Sequence, residues 1–400
     1  MKLKLKHKIV GLALLAALLP ALVMSILFTV QKSQVTSKVS DELDALGRRK
    51  IAQIAQDAYV LCETANDMTQ QQVDRSLNVA RQILTQSGEV ELSSETVSWE
   101  AINQFSKEST SIVLPKMTVG GVWLRQNRNM AETTPVVDEI VRLVGGTGTI
   151  FQRMNERGDM LRVATNVEAL DHTRAIGTYI PAINPDGESN AVISTVLRGE
   201  TYRGRAYVVN AWYITAYEPI RDKERKIIGI LYVGIKQEEM LEGVRRAIMQ
   251  ARVGETGYVW VVGGTGDDQG HYIISKGGQR DGEDIWEAQD ADGNLFIQSA
   301  VSKALAAREG EVSYERYPWQ NPGEPEVSRM KISAVTYFGP WDWVIGAGVY
   351  EDELFQARDT VESSLSSLLT WALVGGLIAL GIAAVLAFFV GGEIAKSGYD

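Results

Sequence analysis

The spacing of hydrophobic positions changes several times along this chain, and each change predicts an element. Ile9–Val30 is an uncharged apolar run with one proline, Pro20. At about 1.5 Å per residue it is long enough to cross a hydrocarbon core about 30 Å thick. Lys2, Lys4, Lys6, His7 and Lys8 precede it and predict a cytoplasmic N-terminus. A cleaved signal peptide has a shorter apolar region, about 7–15 residues, ending at small residues. This run ends Ile26-Leu27-Phe28-Thr29-Val30, which favours an uncleaved anchor. From Val35 to about Leu84 the apolar residues recur every three to five positions, with Gly47 the only glycine. That spacing predicts a helix reaching roughly 75 Å. Its apolar stripe must be covered, either by the chain's own modules or by a second subunit. Cys62 on this helix is expected to pack as a small apolar residue or to lie at a dimer seam. Leu365–Val390 is the second long apolar run, carrying Trp371 and three glycines.

Two spans put both ends on one side of a bilayer and residues 31–364 on the other. The chain has 40 basic and 50 acidic residues, a net charge of −10. The first 30 residues carry +4, so the acidic excess lies in the middle, as an exported region requires. That balance argues against nucleic-acid binding. One cysteine excludes an internal disulfide, and three scattered histidines give no metal-ligand pattern.

Between the spans, β-rich runs predict strands at Thr149–Met154, Ala206–Glu218 and Lys226–Ile235, then at Tyr258–Val262, Tyr272–Ser275, Val312–Tyr317, Met330–Tyr337 and Trp343–Val349. Turns rich in Gly, Asp, Asn and Pro separate them, as in Asn184-Pro185-Asp186-Gly187 and Asn321-Pro322-Gly323. An internal repeat organises the set. Val144–Phe151 aligns with Val253–Trp260, and Val233–Met240 aligns with Ala347–Leu354. The reading is α+β: two tandem modules of antiparallel sheet with flanking helices, behind one long helix.

The second copy carries Gly257-Tyr258-Val259-Trp260, Tyr314-Glu315-Arg316-Tyr317-Pro318, Lys331-Ile332-Ser333 and Trp341-Asp342-Trp343-Val344-Ile345-Gly346. These strings resemble the Cache type 2 sensor module. The first copy, through Tyr217-Glu218-Pro219-Ile220 and Ile227-Ile228-Gly229-Ile230-Leu231, resembles Cache type 3. Together they resemble the Cache3–Cache2 fusion of bacterial methyl-accepting chemotaxis proteins. The resemblance implies a PAS-like double sensor in the inner membrane: a cytoplasmic N-terminus at 1–8, a span at 9–30, a long helix over 31–95, a membrane-distal module over 96–242, a membrane-proximal module over 243–356 and a second span at 365–390. It implies a small-molecule ligand such as an organic acid, a homodimer, no cofactor and no enzymatic activity. Residues 391–400 resemble the entry to a HAMP segment, so a continuation with cytoplasmic signalling partners is expected. A histidine kinase or a cyclic-dinucleotide enzyme with the same sensor region is the alternative.

A small polar ligand needs a concave apolar site with a few fixed donors. In the first module Tyr202, Arg203, Tyr207, Trp212, Tyr213 and Tyr217 cluster in sequence. Strand alternation puts Trp212 on one face and Tyr213 with Tyr217 on the other, so not all of them line one pocket. Aromatic core packing is the competing reading. Amino-acid-binding double Cache sensors use an Arg-x-Trp-Tyr string, and here the matching string is Asn210-Ala211-Trp212-Tyr213, without the arginine. In the second module Tyr258 and Trp260 share a strand face, and Tyr272, Arg316 and Lys331 can supply polar contacts. The two cations suit an anion, and solvent-facing strand positions are the alternative. Trp341 and Trp343 read as a structural corner. Gly263-Gly264-Thr265-Gly266 lacks the lysine of a phosphate loop. Asp290-x-Asp292-Gly293-Asn294 has its glycine two positions too early for a calcium loop. His172 beside Asp171 has no partner nucleophile.

Overall fold

The computed structural model describes residues 5–320 and 328–397. The predicted turn at Asn321-Pro322-Gly323 and the last three residues lie outside that range. Helix α1 (Leu5–Ser87) is a single 83-residue helix, about 125 Å long. It runs through Gly47 and stops before Gly88, whose φ of 112° no other residue type adopts cheaply. Strand signals take over at once, so the helix is shorter than the expected boundary at residue 95.

The first sheet has nine strands: β1 (Val90–Asn103), β2 (Ser109–Val119), β3 (Val122–Trp123), β4 (Thr147–Arg153), β5 (Met160–Thr165), β6 (Thr178–Ile180), β7 (Tyr202–Val208), β8 (Ala211–Arg221) and β9 (Ile227–Lys236). Their order is β3-β2-β1-β6-β5-β4-β9-β8-β7. Two helices lie within this module, α2 (Val137–Val144) and α3 (Ala191–Leu197). The sheet is not wholly antiparallel, because β1 pairs with β6 in parallel at Ile102↔Thr178. The single strand expected over Ala206–Glu218 is a hairpin. It turns at Val209-Asn210, with Val209 held at φ 60°.

Helix α4 (Gln237–Gln250) follows without a break and leads into the second sheet. It spans residues 242 and 243, where the sequence reading set a module boundary. The second sheet contains β10 (Arg252–Val253), β11 (Gly257–Gly263), β12 (Tyr272–Ile274), β13 (Ser313–Trp319), β14 (Arg329–Phe338) and β15 (Trp343–Tyr350), with α5 (Phe296–Ala306) between β12 and β13. The order is β10-β11-β15-β14-β13, with β12 paired to β11, and every pair is antiparallel. β15 passes directly into α6 (Glu351–Ser397).

Each sheet lays one face on α1. Ile51, Ala55, Ala58, Tyr59 and Cys62 share a core with Val259, Val261, Ile332 and Ile345 of the second sheet. Val73, Leu77, Ala80, Ile83 and Leu84 share one with Ile150, Ile214, Leu231 and Val233 of the first. Between Ile51 and Leu84 most of the helical stripe is therefore covered within the chain, whereas Val35, Leu46 and Met68 of the same stripe stay exposed. Strand alternation turns the other residues to the far faces, where Phe151, Tyr213, Tyr217 and Tyr232 form one apolar layer and Trp260, Tyr272, Phe296 and Tyr317 another.

Within Asp359–Val390 of α6, an 18-residue stretch has a mean hydropathy of 2.7 and none of it buried, which is long and apolar enough to cross a membrane. Ile9–Val30, the other expected span, opens α1, and many of its side chains lie outside the described residues.

Candidate functional site

The far face of the first sheet carries a cavity of about 520 Å³, within the range of small-ligand sites. Its wall is aromatic on the β7–β8 side, with Tyr202, Tyr207, Trp212 and Tyr217, and polar opposite, with Gln104, Asn184, Asp186 and Asn190. Tyr202 sits opposite Tyr217, and Tyr207 opposite Trp212. Alternation assigns the two pairs to opposite faces, yet both line this cavity on the edge hairpin, so the expected separation of Trp212 from Tyr217 does not hold there. The first pair has ring centroids 6.0 Å apart and the second 5.5 Å. The tip of this hairpin is pinned by Lys107, whose ammonium donates to the Gln104 and Val209 carbonyls at 2.6 and 3.1 Å. Asn190 caps α3 by accepting from the Val192 and Ile193 amides. Gln104 Oε1 is buried in the wall without a donor.

Burial pushes the Tyr217 hydroxyl well above the usual tyrosine range and raises Tyr202 and Tyr213 in the same direction. All three are therefore protonated donors at neutral pH. Tyr213 packs in the apolar layer with Tyr217 and is not part of the cavity wall. Arg203 is turned the other way and binds Asp74 on α1 at 2.8 Å. Trp212 is 40% exposed and lies under the guanidinium of Arg205, 3.9 Å from its ring centroid.

One residue that sequence reasoning missed lies behind this wall. Arg162 on β5 is fully buried, stacked on the Phe151 ring at 4.8 Å, with Nη1 donating to Thr178 Oγ1. Burial lowers its pKa, and Tyr217, Tyr232 and Tyr213 oppose that shift. The run Met-Leu-Arg-Val-Ala-Thr offers only an arginine inside an apolar strand, a weak signal without the fold.

In the second module Lys331 is buried, with its ammonium 3.6 Å from the Tyr258 ring centroid and 5.7 Å from that of Tyr350. The row Tyr317–Lys331–Tyr350 runs across β13, β14 and β15. Trp260 and Tyr272 share the far-face core with Tyr317, and Trp260 Nε1 is buried without an acceptor. Tyr272 is pushed up to about 12 by burial, although Arg280 lowers it from 5.3 Å above the ring. Arg316 faces outward and binds Glu351 at 2.6 Å, so the strand alternation separates it from Lys331.

Two of the three sequence features set aside above, the glycine-rich run and the Asp290 segment, form side-chain-closed turns. Asp342 accepts from the Thr265 amide and hydroxyl, closing the glycine-rich turn. Asp290 accepts from the Asp292 and Asn294 amides. His172 is exposed beside Glu168. Among the described residues no cluster of three or more potential metal ligands occurs.

The fold is thus two α+β modules on one long helix, the first of them with a cavity lined by aromatic and polar side chains. The chain belongs to the Cache 3/Cache 2 fusion domain family, whose model matches residues 36–364. It is 35% identical over 108 residues to the methyl-accepting chemotaxis protein McpP of Pseudomonas putida, covering 26% of this chain and 19% of that protein. It is 28% identical over 123 residues to the sensor histidine kinase MctS of Rhizobium johnstonii, covering 30% of this chain and 25% of that protein. A solved periplasmic sensor domain of a chemotaxis protein is 30% identical, with a TM-score of 0.25, over 28% of this chain and 74% of that one. The chain thus spans a quarter or less of the curated relatives it matches.

Proposed function

We propose that this chain is the sensor region of a two-pass inner-membrane chemoreceptor. It binds a small extracytoplasmic solute and transmits a conformational signal to cytoplasmic partners, as a homodimer. The observation that carries this reading is the cavity of about 520 Å³ that gathers Tyr202, Trp212 and Tyr217 in a chain of the Cache family. The apolar Asp359–Val390 segment supports membrane attachment, with the first module farther along α1 from the bilayer and the second nearer. Tyr258, Trp260, Tyr272 and Lys331 form the candidate site of the second module. A ligand acts by binding one arrangement of the modules better than another. The likeness to MctS supports a second reading, the sensor region of a histidine kinase. The two differ in output, not in sensing.

The test is a thermal-shift screen of the full chain in nanodiscs against organic acids, amino acids, amines, purines and sugars. A ligand at about 100 times its Kd adds about 2.7 kcal/mol of stability. A saturable shift from one class is expected. A cooperative melt that no class shifts would replace direct sensing with capture of a partner protein.

A further inference from the structure

Arg162 presents an unusual pair of unmet donors. Its Nη1 is held by Thr178, whereas Nε and Nη2 are buried without any acceptor. Those two nitrogens lie on one edge of the guanidinium, and their N–H groups point the same way. That edge is the fork that receives both oxygens of a carboxylate. Among the described residues, four other arginines use it. The Nε–Nη2 edges of Arg81, Arg280, Arg316 and Arg329 each hold both oxygens of one acidic side chain: Glu218, Glu283, Glu351 and Asp352 respectively. Those four arginines keep some solvent contact. Arg162 has none, and the titratable groups acting on it are tyrosines rather than a carboxylate. A buried cation without a counter-ion is costly, so the arrangement calls for an anion from outside the chain.

The cavity supplies the route. Tyr217 stands in its wall and is also a close neighbour of Arg162, with its ring 6.1 Å from the Phe151 ring on which the guanidinium stacks. Ile180 lines the cavity from β6, the strand that carries Thr178. Arg162 therefore lies one side chain behind the wall. We infer that the first module takes a small carboxylate whose two oxygens seat on the Nε–Nη2 edge of Arg162, with its body in the aromatic cavity and Tyr217 displaced to admit it. This rests on the sensor reading above and adds to it the module and the residue that hold the ligand's carboxylate. It also supplies a trigger, because the carboxylate cannot reach the fork without moving a residue of β8.

The test titrates the full chain in nanodiscs with matched pairs, benzoate against benzamide and butyrate against butyramide, and with a series of mono- and dicarboxylates, by calorimetry and melting. Acids are expected to bind saturably and at least tenfold more tightly than their amides. Arg162→Met should abolish the acid response while melting cooperatively, at an unchanged or higher temperature without ligand. Arg162→Lys keeps the charge but not the fork and should weaken acids at least tenfold, which preserves the test if the methionine variant does not fold. Equal binding of acids and amides, or full acid affinity in both variants, overturns the inference. Stabilisation by neutral compounds alone overturns it and leaves the sensor reading standing. Silence across every class overturns both.

Discussion

At the scale of single residues, two positions connect packing to measurable behaviour. Gly348 sits opposite Ser333 on β14 and Tyr258 on β11. A Cβ there would meet Lys331 Cε at 2.4 Å and Ser333 Oγ at 2.6 Å. The missing side chain is what lets the lysine reach across the strand to the Tyr258 ring. Gly348→Ala is expected to displace Lys331 and to cost about 1–3 kcal/mol through overpacking. Urea unfolding of the single variant, of Lys331→Ala and of the double variant measures it. The double variant should recover part of the loss, and strict additivity would show that the lysine does not occupy that space. Cys62 lies in the core under α1, and burial pushes its thiol up to about 12 from 9.0. The folded state therefore prefers the protonated thiol. Its contribution to stability is fully present below pH 9 and is lost as pH rises from there toward 12, because the unfolded chain releases the proton first. Native protein at pH 8 should resist thiol reagents until it unfolds. Cys62→Ala should flatten the fall in melting temperature between pH 8.5 and 10. Rapid labelling of the folded protein would contradict the burial.

At the scale of elements, α1 is the spine that each sheet needs for its core. Leu77 is 1% exposed and packs against the first sheet. Leu77→Ala is expected to destabilise that module by about 2–5 kcal/mol, by lost transfer energy and a residual cavity. Calorimetry on the full chain should show the loss as a lowered or newly separated transition, and an unchanged melt would mean that the module holds together without the helix. The helix was legible because a stripe with 3.6-residue period persists over dozens of residues. The strands of the second module were legible because Tyr258–Val262 and Met330–Tyr337 are dense in β-branched and aromatic residues. β1 and β2 were not, because Val90–Asn103 is mostly exposed and polar, so no alternation announces a buried face. The β7–β8 turn was missed because a β-branched residue, Val209, occupies a left-handed position where glycine or asparagine is the usual signal. The aromatic side of the cavity was visible as a cluster of tyrosines and a tryptophan. Alternation separated Arg203 from it only once the pairing to α1 was known, and Arg162 had only the weak signal of an arginine in an apolar strand, since its neighbours come from β4, β6, β8 and β9.

At the scale of the whole molecule, the question is how a ligand in one module is felt by the other. Arg205 joins them. It lies in the wall of the cavity and stacks on Trp212. Its Nε donates to Gln237 at the start of α4, and its Nη1 donates to the Trp341 carbonyl of the second module, at 2.8 and 2.9 Å. Trp341 is buried against Phe338 and Trp343, and its indole N–H donates to Asn66 on α1 at 3.1 Å. One guanidinium thus touches the cavity, the inter-module helix and the backbone of a residue whose side chain is fixed to the spine, so a change in Trp212 or β8 has a short physical path to α1. The far end of that path is observable. Lys32 on α1 donates to Ser366 on α6 at 2.6 Å, where the two helices run together beside the apolar segment. Spin labels on Lys32→Cys and Ser366→Cys in a Cys62→Ala background report their separation. A stabilising ligand from the screen is expected to shift that distance distribution in the parent and to leave it unmoved in Arg205→Ala, while still shifting the melt of both. An identical distance change in the two proteins would remove Arg205 from the route and leave α1 alone to carry the signal.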